Sequence, residues 1–231
     1  MIKKNSSRTG SKISCLLACV VLMSSCVPYH KLIKKESPQA TELDDQREVA
    51  YNNVRTAAIY NQFETRALFN FLRMSDATRR AYADVYCGRR GIAAQAKEEF
   101  LKRQLEENNH WYSFIVLADI RDKTSVSLGE KNAQWTFSLD LGTDKTLVPE
   151  SIKEIDVEPE QQHFFGHRFN LFKTAYLIKF PRHDASGQEY TSGPCSKVIV
   201  SSPYKKAEVV WDEKDYKKKH EVRKDEDFYW G

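Results

Sequence analysis

The spacing of the apolar residues changes once along this chain, and that change limits the possible folds more than any other feature. From Glu42 to about His110 apolar positions recur at helical spacing. From Trp111 onward they alternate or run in short blocks. Residues 100° apart line one face of a helix, whereas residues two apart line one face of a strand, so the pattern predicts helices first and strands after. The expected class is α+β: an N-terminal helical hairpin or layer followed by an antiparallel β-sandwich.

Between Glu42 and Met74, the residues Val49, Thr56, Tyr60, Phe63, Ala67, Phe71 and Met74 fall on one helical stripe, with Arg55, Gln62, Arg66 and Arg73 opposite. Ser75-Asp76 supplies an N-cap for a further helix starting near Ala77. Gly88 and Gly91 each weaken that helix by roughly 1 kcal/mol relative to Ala, so a break is expected there. Ile92 to Glu107 is helical again, with Ala96, Phe100, Leu101 and Leu105 inward, and Asn108-Asn109 as a stop. Residues 42–108 are thus expected to form the helical layer.

The run Trp111 to Ile120, WYSFIVLADI, is aromatic and β-branched. Trp135, Phe137, Leu139 and Leu141 then alternate with polar residues, the pattern of a half-buried strand. Ile152, Ile155 and Val157 lie in a further segment. Ala175 to Phe180, Lys197 to Ser201 and Ala207 to Trp211 complete six or seven short strands over residues 110–211. That number fits an immunoglobulin-like sandwich, and jelly-roll or transthyretin-like arrangements also fit. Residues 212–231 carry a mixed charge run and then Phe228, Tyr229 and Trp230, which are expected to dock back on the sandwich or to anchor a partner.

Hydrophobic residues make up 41% of the chain and aromatics 12%, enough for a real core and unlike a disordered composition. The formal charge of +4 comes from the first 25 residues, which hold Lys3, Lys4, Arg8 and Lys12 and no acid. The remainder carries 32 bases and 32 acids. A neutral body gives no reason to expect nucleic-acid binding.

The basic start precedes Ile13 to Cys26, ISCLLACVVLMSSC, an apolar core that ends in small residues. This is the layout of an export signal, and the stretch Ile13 to Met23 is about half the length needed to span a bilayer. Met23-Ser24-Ser25-Cys26 resembles the lipobox of bacterial lipoproteins. A second match, Leu16-Leu17-Ala18-Cys19, would leave a core shorter than the usual ~7–15 residues. An ordinary secretory signal would leave Cys26 a plain thiol. The resemblance, which covers residues 1–26, implies a signal peptide over 1–25, cleavage before Cys26 and a lipid carrying acyl groups such as palmitate on its thiol. Residues 26–41 would then be a tether. In such families Asp after the lipidated cysteine retains the protein at the inner membrane. Val27 in that place implies the outer membrane, with the body facing the periplasm.

Candidate chemistry is sparse. His163 and His167 stand four apart in HFFGHRF, a spacing that on a helix would aim two imidazoles at one metal. Gly166 lies between them and Phe164 stands where a zinc protease carries its acid; His183 or Asp184 would be the third ligand. No metal site or cofactor is expected. Cys87 and Cys195 could form a disulfide in an exported chain, closing a loop worth about 4–5 kcal/mol in chain entropy, or remain as two buried thiols. Cys195 at the start of an apolar strand reads as structural rather than nucleophilic. No Gly-rich phosphate loop or GxSxG elbow occurs.

The expected function is therefore a non-catalytic, lipid-anchored envelope protein of structural or adaptor type with an envelope protein as partner. The alternative is a ligand- or peptide-binding lipoprotein module using sandwich loops, with Trp111, Tyr112, Trp135, Tyr190, Tyr204 and Trp211 as stacking surfaces. A hydrolase using His163, His167 or Cys195 stands behind both.

Overall fold

The structure, a computed structural model, describes residues 49, 53–61, 64–121, 127–143, 145–191, 195–203 and 205–212. All of them belong to the second of two compact units, Asp45–Gly231. The signal segment, Cys26, the tether and the charged tail after Asp212 lie outside the described residues.

Two antiparallel sheets form the frame. The first holds β1 (Val54–Asn61), β2 (Glu64–Arg73), β3 (Trp111–Ile120), β7 (Thr174–Pro181) and β6 (Ser151–Glu154), in that order across the sheet. The second holds β5 (Thr146–Leu147), β4 (Thr136–Asp140), β8 (Cys195–Ser201) and β9 (Lys206–Asp212). Between β2 and β3 the chain makes two helices, α1 (Asp76–Arg90) and α2 (Ala94–His110), and between β6 and β7 a short one, α3 (Pro159–Phe165).

The inner faces of the sheets share one apolar core. Ala67, Phe69 and Phe71 of β2 and Phe114, Val116 and Ala118 of β3 meet Trp135, just ahead of β4, and Phe137, Leu139, Val198, Val200 and Trp211 from the second sheet. The other face of the first sheet is covered as well. Leu72, Ile115, Leu117 and Ala175 pack under Ala81, Tyr82 and Val85 of α1 and Phe164 and Phe165 of α3. This explains why β3 reads as an unbroken apolar run: both of its faces are buried, so the alternation of a half-exposed strand is lost.

The strand order differs from the immunoglobulin pattern of ABED on one sheet and CFG on the other, because the third strand here pairs beside the first two in one sheet and a helical pair separates β2 from β3. Among the described residues the helical pair follows the first two strands and does not precede the sheets. Where one long helix is expected up to Met74, the described residues form the β1–β2 hairpin, with Val54 opposite Leu72 and Asn61 opposite Glu64. A step of four residues is even, so Ala67 and Phe71 share a face in a strand as they would in a helix. Phe69 separates the two cases. On a helix it would lie about 200° from each of them, yet all three are buried in the same core.

The next two helices agree better with the pattern. Ser75 Oγ accepts from Thr78 N at 3.3 Å, capping α1, and Gly91 ends it in the left-handed conformation at φ 61°. Helix α2 runs on to His110, and Ala96, placed inward by periodicity, is exposed. Helix α3 starts with Pro159 in the first helical position, where the missing N–H costs nothing.

One glycine is fixed by space. A Cβ on Gly129 would stand 2.6 Å from the carbonyl oxygen of Ile152 in β6. Backbone cannot yield as a flexible side chain can. Gly129→Ala is expected to lower stability by about 1–3 kcal/mol in urea unfolding. A wild-type midpoint would show that this loop shifts freely.

Candidate functional site

A cavity of about 370 Å3 opens at the end of the sandwich where β3 finishes. Its floor is Ile59, Ile120 and Trp135, and its rim is Tyr60, Asn61, Arg66, Gln134, Ser202 and Lys205. A β-bulge shapes one wall. Ile59 pairs with Ala67 but Tyr60 pairs with Thr65, so Arg66 is the extra residue of β2. A bulge bends its strand and re-aims side chains. Ile59 is buried while Tyr60, the next residue, is 53% exposed.

The β8–β9 turn forms the opposite wall. Ser202 N donates to Lys205 O at 2.8 Å, and Lys205 N donates to Ser202 Oγ at 3.1 Å. The Lys205 ammonium donates to the carbonyl oxygen of Tyr60, tying the second sheet to the bulge of the first. Arg66 approaches Glu64 at 3.7 Å, with both side chains about half exposed, an arrangement that contributes little. Among the described lining residues the two charged ones, Arg66 and Lys205, are both cations. Trp135 is 5% exposed and its Nε1 has no hydrogen-bond partner, a state that costs about 1–3 kcal/mol.

The residues singled out in the sequence do not gather here, apart from Trp135. Tyr112 and Ile120 lie at the two ends of β3, roughly 26 Å apart at ~3.3 Å per residue. Tyr112 donates to Tyr190 O at 3.3 Å and carries the Arg182 guanidinium 5.4 Å from its ring centre. Trp211 is core and donates from Nε1 to Asn53 O at 3.0 Å. Trp111 is half-buried and Tyr204 lies outside the described residues. The five described aromatics thus do not form one stacking surface.

His163 is half-buried in the last turn of α3 and His167 is exposed in the tight turn Gly166–Arg168. Gly166, at φ 56° and ψ −132°, breaks the helix between them. The one-face alignment that four-residue spacing would need is lost. His183 and Asp184 follow β7 whereas the pair precedes it. Asp184 Oδ1 accepts from Ser186 N, Ser186 Oγ and Gln188 N at 2.8, 2.6 and 2.9 Å, closing its own turn. Among the described residues no three metal-ligating side chains converge.

Cys87 is a free thiol buried in α1. Burial pushes its pKa up, against a smaller opposing pull from Lys97, and a protonated thiol is a poor nucleophile. Cys195 begins β8, and its side chain lies outside the described residues.

The most buried polar cluster serves the fold. Arg79, in α1, donates to Asn108 Oδ1 at 2.6 Å, Gln104 Oε1 at 3.0 Å and Glu107 Oε2 at 2.9 Å, all in α2. Asn108 Nδ2 returns to Asp76 Oδ1 at 2.7 Å, and Lys179 of β7 reaches Glu107 at 2.5 Å. Tyr82 donates to Glu158 Oε2 at 2.7 Å, joining α1 to the start of α3. Burial and that hydrogen bond raise the phenol far above its ordinary pKa, so Tyr82 acts as a donor and not as an acid.

Arg66, Tyr60 and Lys205 are the site residues that sequence reasoning passed over. Periodicity placed Arg66 on the outer side of a helix, and nothing local marks a bulge. No protein-family model, no curated protein and no solved structure matches the chain.

Proposed function

We propose that this is a non-catalytic, lipid-anchored envelope protein of adaptor type. Lipid on Cys26 would hold it at the outer membrane, and the folded body would dock a partner protein on the periplasmic side. The observation that supports docking is the turn before β7, where Leu171 is 89% and Phe172 94% exposed. Single exposed apolar residues are ordinary, but two adjacent large ones at a turn tip are not.

The turn is braced. Phe172 N donates to Asn170 Oδ1 at 3.0 Å, and Lys173 N donates to Asn170 O at 3.3 Å. Lys173 Nζ donates to Asn70 Oδ1 at 2.8 Å and to Arg168 O at 2.7 Å, fastening the turn to β2. A braced turn loses little freedom on binding, and an aromatic anchor set in a partner's pocket is the usual form of a binding hot spot.

The test has two arms. Cells expressing the full chain with labelled palmitate should label the wild type and not Cys26→Ala, and globomycin should leave a larger precursor. A precursor of unchanged size under globomycin would defeat the anchor. In the second arm a photo-crosslinking residue replaces His167, which is exposed four residues before Leu171. A discrete adduct with an envelope protein is expected, lost when Leu171 and Phe172 both become Ser while Tm stays near wild type. An adduct that survives the double replacement would remove the turn from the interface.

The second reading, a ligand-binding lipoprotein module, is favoured by the cavity at the sandwich end.

A further inference from the structure

We infer that the cavity at the end of the sandwich binds a small amphipathic carboxylate, its apolar body against Ile59, Ile120 and Trp135 and its carboxylate between Arg66 and Lys205. The inference rests on the ligand-module reading and adds the class of ligand. A space of about 370 Å3 falls in the usual range of small-molecule sites. At ~30 Å3 for each water-sized group it holds roughly a dozen heavy atoms.

The floor is apolar, so a fully polar solute would gain nothing from it. Among the described residues the lining carries two cations and no carboxylate, so a neutral or cationic ligand would leave that field unused. A single carboxylate matches the donors present. Arg66 can offer its planar fork, since its contact with Glu64 at 3.7 Å is longer than a hydrogen bond. Lys205 spends one ammonium hydrogen on Tyr60 O and keeps two. A phosphate dianion ordinarily needs more donors, such as a run of backbone N–H groups or a helix N-terminus, and the cavity is bounded by strands and turns. Tyr60, half exposed at the mouth, can lie over the ligand body. Trp135 adds a buried donor without an acceptor to the same lining.

The test uses the full chain in phosphatidylcholine nanodiscs, titrated calorimetrically with 4-phenylbutyrate and with its neutral amide at low salt. The indole N–H resonance of Trp135 reports binding at the cavity. The acid is expected to bind at least tenfold more tightly than the amide and to move that resonance. Arg66→Gln combined with Lys205→Gln should bring the acid down to the amide's affinity, and added salt should narrow the difference. Both substitutions lie at an exposed rim, and an unchanged Tm confirms folding. Equal binding of acid and amide, with the Trp135 resonance moved by both, would keep the ligand module and overturn the carboxylate assignment. A preference for the acid that survives the double substitution would overturn it as well. No shift of the Trp135 resonance with either probe would remove both the assignment and the module reading.

Discussion

Phe69→Ala is expected to lower the unfolding free energy by about 3–5 kcal/mol, measured by urea unfolding at neutral pH. Phe69 is completely buried, at the point where the two sheets meet. Its ring stands edge-on to Trp135 at 5.5 Å and to Phe137 at 5.7 Å, with Phe71 tilted at 6.3 Å. Removing it deletes the transfer energy of the ring and leaves a cavity that two stiff sheets cannot close. It also takes away edge-to-face contacts worth about 0.5–1.5 kcal/mol each. Phe69→Leu should lose clearly less, because most of the volume stays. The result also bears on the strand assignment. On a helix with Ala67 and Phe71 inward, Phe69 would face outward and the alanine would be nearly neutral. A loss below about 0.5 kcal/mol would contradict the β1–β2 hairpin.

Arg79→Ala is expected to cost a similar amount, about 3–5 kcal/mol, for a different reason. The Arg79 side chain is 3% exposed and holds three acceptors on α2. Burial alone lowers its pKa, against the opposing pull of Glu107 and Asp76, so the guanidinium depends on those partners. Without it, Asn108 Oδ1 loses its donor in a buried site and Glu107 is left, among the described residues, with Lys179. Thermal unfolding should show a Tm lower by on the order of 10 °C. A Tm within a degree or two of wild type would mean that the α1–α2 pair is held by other contacts.

The same cluster predicts an acid limb. Burial would raise the pKa of Glu107, but the hydrogen bond from Lys179 and the charges of Arg79 and Lys179 outweigh it and hold the pKa below the ordinary value. A carboxylate whose folded pKa is depressed contributes stability that is fully present above its unfolded pKa, near ~4.3, and is lost as pH falls through the folded value. Glu107→Gln should therefore destabilise the chain at pH 7 and flatten the loss of stability below about pH 4. A variant with the wild-type acid limb would show that other carboxylates govern it.

How much of this was legible in the sequence depends on whether the signal was local. Ser75 and Gly91 marked both ends of α1 because a capping hydroxyl and a left-handed residue act within one turn of backbone. Strands β3, β4, β7, β8 and β9 were visible as alternation or as dense β-branched runs. Helix α3 went unread, although Pro159 after Glu158 was a usable sign of a helix start. The β1–β2 hairpin reads as a helix because residues four apart satisfy both periods; Ile59 and Phe69 satisfy only the strand. Of the cavity lining only Trp135 stands out in the sequence as a binding candidate, as a stacking residue.

By itself the sequence determined where backbone hydrogen bonds are made locally and which residues are apolar enough to need covering. It also determined the export-like start, with four bases ahead of a short apolar core. Tertiary structure alone decided that β1 and β2 join the first sheet, that helices cover its outer face, and that Arg66 and Lys205, distant in the chain, share one opening. The reason is physical. A strand's hydrogen bonds and a cavity's walls come from remote segments, so their energies depend on a pairing that local spacing does not encode.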